Sequence, residues 1–315
     1  MRYKKVPAAG FELSAIGLGG HEFLSDGTVK GMGEDFHRSV TAGVIWEGFG
    51  AERRKRVIAA AHEAGINFFD VTMDAEKEAL GRNLAELPSL RRVFVQTRPE
   101  GMVYDNDPSD VYKRKILDYE LLRAEAQRAA GLLRREFIDF YNFGLHAPAV
   151  RRDPNYLPRI AENIARLKAD GLIRMATADS IFDPELYLEE IETGAFDAIF
   201  VSFNFATEGS LQRVVSLASE RGMAVFAREP FIKGRLFRFA AEAGFEDRSR
   251  VAVASLRWVL SHPEVSVAVI GVDTAEQLRE NLRAIEDPML NDEDRKILDA
   301  MRATSSYRDY VSGTG

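Results

Sequence analysis

The feature that most constrains the fold of this chain is an alternation of two kinds of segment, repeated eight times along 315 residues. Short apolar or β-branched runs predict strands, because buried parallel strands read as nearly continuous hydrophobic stretches. These runs cover residues 14–20, 66–72, 93–98, 137–143, 173–179, 198–204, 224–229 and 266–272. Each is followed by a segment with apolar residues at helical spacing. These segments cover residues 51–65, 74–87, 118–136, 156–171, 183–194, 209–222, 249–263 and 274–286.

Eight strand–helix units predict an α/β fold of the (β/α)8 TIM-barrel type. The competing α/β architecture is a doubly wound sheet, which usually has fewer strands and carries G-x-G-x-x-G after the first one. Here the first predicted strand leads into GLGGHEF, which is not that fingerprint. Residues 291–303 predict an extra C-terminal helix capped by Asn291 or Asp292. We expect residues 1–315 to form a single barrel domain.

Two long insertions interrupt the alternation. Residues 21–50 separate the first strand from its helix, and residues 99–117 follow the third strand. Both would lie on the C-terminal face of the barrel, where barrel enzymes keep their chemistry. Long loops there favour a substrate lid or a contact in a homo-oligomer.

Composition excludes several classes of function. The net charge of −7 and the pI near 5.5 argue against a nucleic-acid or anionic-membrane surface. The absence of cysteine excludes disulfides, thiolate metal sites and cysteine nucleophiles. No apolar run approaches the roughly 18–20 residues of a membrane span, and the N-terminus MRYKKVPAAG has no apolar signal region. We therefore expect a cytoplasmic protein with a small-molecule substrate.

Six blocks of sequence resemble the aldo-keto reductase family, in the right order and over nearly the whole chain. They read GFELSAIGLGG, AGINFFDVT, EALGRNL, GLIRMATAD, RWVLSHPEVSVAVIGVDTAEQLREN and LNDEDRKILD. The fifth block is the most specific, because its Gly, Gln and Glu-Asn stand at fixed spacing. The resemblance implies a nicotinamide cofactor, NAD or NADP, lying across the mouth of the barrel.

The fifth block also predicts a phosphate site on physical grounds. A strand that ends at Gly271 and turns into a helix at Thr274 offers free backbone N–H groups and the positive end of a helix dipole. The alternative is an ordinary turn capped by Asp273 or Thr274. The resemblance implies that the adenosine phosphate and adenine are held by Gly271, Thr274, Gln277, Glu280 and Asn281. Asp273 stands where many members carry a basic residue for the 2′-phosphate, so NAD is at least as favoured as NADP.

The catalytic residues of the family are only partly present. Its members use a tyrosine acid, a lysine, an aspartate and a histidine, and the resemblance matches the aspartate to Asp70. The tyrosine position holds Ala75, the lysine position holds Arg98 and the histidine position holds Gly144. Arg98 would be a permanent cation that stabilises an oxyanion but is a poor proton donor. The alternative is a purely structural Asp70–Arg98 pair.

Two histidines are candidates for the missing acid. Side chains alternate along a strand, so Asn142, Gly144 and His146 share one face if the extended backbone continues. His146 would then face the barrel interior about 7 Å beyond the usual histidine, given ~3.3 Å per residue. His21 follows the first strand directly and should line the mouth. No ligand spacing supports a metal site.

The residues that would face the nicotinamide are also altered. The resemblance places Asp179 and Ser180 where the family has Ser-Asn, and Phe200 where a Gln is common, while Asn204 is kept. Arg228 replaces the stacking aromatic residue, and a guanidinium can stack flat on a nicotinamide ring and pair with Glu229. The loop positions that follow, facing the pyrophosphate, are Pro230, Lys233, Gly234 and Arg235.

These features favour an NAD(P)-dependent oxidoreductase that acts on a small polar carbonyl or sugar-like substrate with an unusual acid–base group. Two alternatives stay open. One is a barrel enzyme that has left carbonyl reduction, such as a lyase, isomerase or epimerase. The other is a non-catalytic nucleotide-binding protein.

Overall fold

The structure is a computed structural model that describes residues 1–6, 10–88, 92–100, 115–180 and 183–313. Most of the second predicted insertion, 99–117, lies outside these described residues. Ten strands are described: β1 (Tyr3–Val6), β2 (Phe11–Ser14), β3 (Ile16–Gly19), β4 (Phe68–Asp70), β5 (Phe94–Thr97), β6 (Ile138–Gly144), β7 (Ile173–Asp179), β8 (Ala198–Val201), β9 (Ala224–Ala227) and β10 (Val267–Ile270). Strands β3 to β10 pair in chain order, all in parallel, and β10 closes on β3 to complete a barrel.

The described helices cover the outside of this barrel and parts of its rim. They are α1 (Phe36–Ser39), α2 (Glu52–Glu63), α3 (Asp74–Ala85), α4 (Tyr119–Leu132), α5 (Ala147–Arg152), α6 (Tyr156–Ala169), α7 (Pro184–Glu192), α8 (Glu208–Glu220), α9 (Arg235–Glu242), α10 (Arg248–Leu260), α11 (Ala275–Leu282), α12 (Asp292–Arg302) and α13 (Ser305–Ser312). No helix in the described part of the chain is long and apolar enough to span a membrane.

The predicted (β/α)8 barrel is confirmed, and seven of its eight predicted strands contain an observed one, while β6 runs one residue past its predicted end, to Gly144. The observed strands are mostly shorter, because pairing ends where the chain leaves the barrel wall. The predicted extra helix is α12, and Asn291 is its N-cap, with a side chain that accepts a hydrogen bond from the Asp294 N–H.

Four of the described helices lie in segments that the sequence does not mark as helical. These are α1, α5, α9 and α13. The sequence also gave no sign of the antiparallel β1–β2 hairpin, whose Phe11 ring stacks on Phe94 with centroids 4.2 Å apart. This hairpin closes the N-terminal end of the barrel with apolar side chains, so the open end is the C-terminal one.

The inside of the barrel changes character along its axis. Its lower part is a cluster of buried apolar residues that includes Phe68, Phe140 and Phe226. Buried polar and charged residues follow at the C-terminal ends of the strands. They are Asp70, Gln96, Arg98, Asn142 and Asp179, and the partly buried Arg228 lies beside Asp179. The polar mouth therefore rests on a packed apolar layer, which fixes the position of the charged groups.

Candidate active site

Two buried ion pairs form the floor of the mouth. Arg98, just after β5, donates from Nη2 to Asp70 Oδ1 at 2.6 Å, and its Nη1 lies 3.9 Å from Asp179 Oδ2. Arg228, just after β9, donates from Nη1 to the same Asp179 oxygen at 2.9 Å. Both guanidinium groups face the ring of Phe200, at 5.3 and 5.0 Å from its centroid. The predicted Asp70–Arg98 pair is thus present, inside a larger cluster.

The partner of Arg228 differs from the predicted one. Glu229, its neighbour in sequence, turns toward Lys233, with 3.4 Å between Oε1 and Nζ. Burial opposes the charge of Arg228, but the Asp179 carboxylate more than offsets this effect and raises the pKa of the guanidinium. Glu229 has a left-handed backbone, with φ of 57°, which turns the chain away from the strand just after Arg228.

His21 lies at the same mouth and is held by Glu76. Its Nδ1 is 2.6 Å from Glu76 Oε1, and Glu76 Oε2 accepts hydrogen bonds from the N–H groups of Thr72 and Met73. The carboxylate is fully buried, whereas a third of the His21 side chain is exposed. Burial opposes both charges, yet the pairing dominates: the pKa of His21 is raised, with a further contribution from Asp70, and the pKa of Glu76 is lowered to about 2.

Sequence analysis missed Glu76 because nothing local marks it as more than a helix-capping acid. It does cap α3, which begins at Asp74. Its second role needs His21, which is 55 residues away in sequence and reaches it only because β3 and β4 are neighbours in the barrel.

His146 stands at a different kind of position. Phe140 and Asn142 face the barrel interior as the alternation predicts, and β6 ends at Gly144. The backbone stays extended at His146, which is the N-cap residue of the short helix α5. The predicted alternation of side chains therefore holds to the end of β6. Beyond the strand, the chain turns into the helix α5 at the rim of the barrel.

The predicted adenosine side has suitable backbone geometry. Thr274 caps α11 by accepting the Gln277 N–H, and the Gln277 side chain in turn accepts the Asp273 N–H at 2.8 Å. Lys233 and Arg235 are exposed on a loop in which Ile232, Lys233 and Gly234 all have positive φ. Such a run of left-handed residues points backbone N–H groups toward one side, as in anion-binding nests.

A dinucleotide would fit the backbone at this end only after one side chain has moved. A Cβ built on Gly271 would lie 3.3 Å from the Phe23 ring, so that ring covers the turn where a phosphate would approach. Glu280 is exposed on α11, and Asn281 is buried beneath it. Asp273 lies 4.0 Å from Arg53, which neutralises part of its charge.

The predicted nicotinamide contacts already have partners within the chain. Asp179 binds Arg228, and Ser180 Oγ donates to the Asp183 carbonyl at 2.7 Å. Asn204 Nδ2 donates to the carbonyl of Glu229, while the carbonyl of Pro230 accepts a hydrogen bond from Ser255. A carboxamide would therefore compete with these bonds. Within the described ranges, no group of three or more His, Asp or Glu side chains is arranged to hold a metal ion.

A closed parallel barrel with ionisable side chains at the C-terminal ends of its strands is the arrangement on which barrel enzymes build their active sites. The model of the aldo/keto reductase family matches residues 241–303. The chain is also 23% identical to the uncharacterized oxidoreductase YqkF of Bacillus subtilis (strain 168), over 99% of this chain and 100% of the relative. It is 24% identical to the NADH-specific methylglyoxal reductase of Escherichia coli (strain K12), over 78% of this chain and 86% of that enzyme.

Among solved structures, the fold is similar to that of the aldo-keto reductase AKR11C1 from Bacillus halodurans in its holo form. The TM-score is 0.69 at 17% identity, over 96% of each chain. The solved structures show that the chain has the fold of the aldo-keto reductases, and in sequence it is similar to that family over residues 241–303 and to oxidoreductases over most of its length.

Proposed function

We propose that this protein reduces a small polar carbonyl or sugar-like substrate with a nicotinamide cofactor, and that His21 transfers the proton. The observation that carries the proposal is the His21–Glu76 pair at the mouth, beside the Asp70–Arg98 pair. Reduction of a carbonyl creates an alkoxide, which needs a proton donor and a stabilising positive charge. In this chain Ala75 stands at the family's tyrosine position. We therefore assign the proton donor to His21 and the stabilising positive charge to Arg98.

His21 has the chemistry of a proton donor. Glu76 fixes Nδ1, so Nε2 is the ring nitrogen left to exchange a proton with a substrate. The pairing with Glu76 raises the pKa of His21 against the effect of burial and so favours the protonated ring. Arg98 carries a permanent positive charge, and its role is to stabilise negative charge on the carbonyl oxygen from the floor of the mouth. Asp70 and Asp179 hold that guanidinium in place.

A bound nicotinamide cofactor would supply the hydride. The turn at Gly271 to Thr274 and the loop with Lys233 and Arg235 would hold its phosphates. Asp273 opposes a 2′-phosphate and suits a ribose hydroxyl, so NAD is the expected cofactor. The E. coli relative is named for NADH specificity and for methylglyoxal, a small carbonyl, which supports both parts of the proposal.

Binding and turnover test this proposal separately. A fluorescence titration should show NADH binding more tightly than NADPH. His21→Gln should then lower kcat/KM for carbonyl reduction by about 10²–10⁴-fold, the usual contribution of a general acid, without changing the NADH affinity. The matched control is His146→Gln, which should keep most of the activity. No nucleotide binding at millimolar concentration would contradict the proposal.

One observation favours a second candidate, a barrel enzyme that has left carbonyl reduction. Asp179 and Ser180, which would face the nicotinamide, are bound to Arg228 and Asp183 instead. A site closed in this way suits acid–base chemistry at His21 without hydride transfer, as in a lyase, isomerase or epimerase. Interconversion of a hydroxy-carbonyl substrate by the protein with no nucleotide present would favour this candidate.

A further inference from the structure

Three fully buried side-chain oxygens inside the barrel have no hydrogen-bond partner among the described residues. They are Gln96 Oε1, Asn142 Oδ1 and Thr177 Oγ1. A buried polar atom that lost its water on folding and gained nothing is costly, so native proteins rarely keep three together without a ligand. These oxygens lie below the ion pairs of the mouth and take no part in the proposed reaction.

The strand register places the three residues on three consecutive strands at neighbouring levels of the barrel. Asn142 of β6 pairs directly with Thr177 of β7, and Gln96 of β5 pairs with Phe140, two residues before Asn142. All three belong to the inward-facing set of their strands, as Phe140 does. Strand tilt in a barrel raises each neighbour by about one residue, so Gln96 and Thr177 share one interior layer and Asn142 belongs to the next.

The two amide groups are oriented by carboxylates. Gln96 Nε2 donates to Asp70 Oδ1 at 2.9 Å, and Asn142 Nδ2 lies 3.4 Å from Asp179 Oδ2. Because an ionised carboxylate accepts hydrogen bonds and cannot donate them, the NH₂ side of each amide must face it. Each amide oxygen therefore faces away from its carboxylate and is left for another hydrogen-bond donor.

We propose that these three oxygens hold one buried water molecule. Water donates two hydrogen bonds, which match the two amide oxygens, and it accepts one, which matches the Thr177 hydroxyl. Three bonds are typical of a buried structural water. A monovalent cation would need more oxygen ligands and would lie close beneath the Arg98 guanidinium, which disfavours it.

The water has a consequence for the site above it. It would fix the two amides that donate to Asp70 and Asp179, and these carboxylates clamp Arg98. One water would thus fix the position of Arg98 through two chains of hydrogen bonds, one through Asp70 and the other through Asp179. The effect on catalysis rests on the proposed function, whereas the water site itself does not.

Thr177→Val tests the site, because it removes the hydroxyl at nearly constant shape. The matched control is Thr97→Val, whose hydroxyl is also buried without a partner but projects from the opposite face of β5 to Gln96. Removing a hydroxyl that bonds to nothing is neutral or stabilising, whereas removing one that holds a water is destabilising. We expect a lower urea midpoint for Thr177→Val than for Thr97→Val, and recovery in Thr177→Ser. Equal midpoints, or a more stable Thr177→Val, would overturn the proposal.

A crystal structure of the full chain near 1.5 Å resolution gives a second test. A density peak within hydrogen-bonding distance of all three oxygens, lost in Thr177→Val, supports the water. An empty site, or an anomalous signal there after thallium replaces potassium, overturns it. A lower kcat for Thr177→Val at unchanged KM would support the further step that the water keeps Arg98 in position. If neither variant nor wild type reduces a carbonyl, the proposed function fails, while the midpoints and density still decide the water site.

Discussion

At the scale of single residues, the two candidate histidines differ in what holds them. His21 is bound through Nδ1 to a fully buried carboxylate, which selects one tautomer and raises its pKa. His146 begins a short helix at the rim, beyond the end of β6. A general acid needs a fixed orientation and a suitable pKa, and His21 has both.

The raised pKa of His21 predicts a pH dependence with a definite sign. Reduction needs the imidazolium, so kcat/KM for reduction should fall as pH rises through the raised pKa, and the reverse oxidation should rise there. Glu76→Gln removes the charge that raises the pKa while burial still lowers it, so the falling limb should move to lower pH. The measurements are pH–rate profiles in both directions and NMR titration of the His21 ring.

The control for this prediction is His37→Gln, on the exposed surface of α1, which should leave the profile unchanged. The same pair also contributes to stability. Glu76 has a folded pKa of about 2, below its unfolded value, so its contribution is present above pH 4.5 and is lost as pH falls toward 2. Identical profiles for Glu76→Gln and the wild type would rule out His21 as the titrating acid.

Glu190 on α7 is a second residue with a predicted pH signature. Its carboxyl is fully buried, neither oxygen has a partner in the described chain, and its pKa is raised well above 4.5 by burial and by Asp179. An acid with a raised folded pKa costs stability increasingly as pH rises above its unfolded pKa. Glu190→Gln should therefore gain stability over the wild type by up to about 1.4 kcal/mol per pH unit.

Urea unfolding at pH 5 and pH 8 measures this difference. Glu189→Gln, an exposed neighbour on the same helix whose charge contributes less than burial and Asp179 to the raised pKa of Glu190, should show only a small part of this pH dependence. The prediction fails if the stability of Glu190→Gln runs parallel to that of the wild type.

At the scale of elements, the hairpin of residues 22–30 lies over the turn that we propose as the adenosine side of the site. Phe23 and Val29 form an antiparallel bridge, Lys30 N–H donates to the Glu22 carbonyl, and the Phe23 ring lies against Gly271. The hairpin directly follows His21, so a movement that admits a nucleotide would also reach the proposed acid.

Phe23→Ala should strengthen nucleotide binding, because the ring no longer has to leave the Gly271 turn. Exposing part of a phenyl ring costs about 1 kcal/mol, so we expect an NADH Kd about fivefold lower. Leu24→Ala, on the same hairpin, keeps the ring in place and should leave the Kd unchanged. If Phe23→Ala weakens binding, the ring is part of the nucleotide site and does not cover it.

The loop before α9 stores backbone strain. Lys233 has φ of 53° and an exposed side chain, and a left-handed conformation costs a non-glycine residue about 1–2 kcal/mol. Lys233→Gly should raise the melting temperature by removing most of that cost, after allowance for the flexibility of glycine in the unfolded chain. The control is Lys296→Gly within α12, which should lower it. A lower melting temperature for Lys233→Gly would show that its contact with Glu229 outweighs the strain.

At the scale of the whole molecule, the barrel could be predicted because its signal is repeated. Each of the eight strands is a short apolar run, so an error in the predicted ends of one strand does not change the predicted fold. The N-caps of two helices could also be predicted, because capping depends on neighbouring residues. Asp183 caps α7, with Pro184 at its first position, and Asn291 caps α12. Helix α13 could not be predicted from the sequence, because it is stabilised by a tertiary contact, the stacking of Tyr307 on Phe205.

The partners within the site could be predicted only in part. Asp70 and Arg98 were paired through the resemblance, but Arg228 binds Asp179, 49 residues earlier, in place of the adjacent Glu229. Sequence proximity misleads there because residues at the ends of non-adjacent strands meet across the mouth of a closed barrel. Glu76 was missed because its partner His21 is 55 residues earlier in sequence and follows the neighbouring strand β3.

A buried ion network beside the site should couple several parts of the molecule. The fully buried Lys77 of α3 donates to Asp74 at 2.8 Å and to Glu100, after β5, at 3.0 Å. Asp74 also accepts the Gly43 N–H of the first insertion and contacts Arg128 of α4. One lysine therefore links two helices, a strand end and an insertion.

Lys77→Met keeps the length of the side chain but leaves two buried carboxylates without their shared cation. Breaking a buried pair in this way typically costs about 3–5 kcal/mol, so the free energy of unfolding should fall by that amount. Because Asp74 holds Gly43, hydrogen exchange at the Gly43 amide should also accelerate. Lys55→Met removes an exposed partner of Glu86 and should change neither quantity appreciably. A loss of stability with unchanged exchange at Gly43 would mean that the network supports α3 locally and does not anchor the insertion that follows His21.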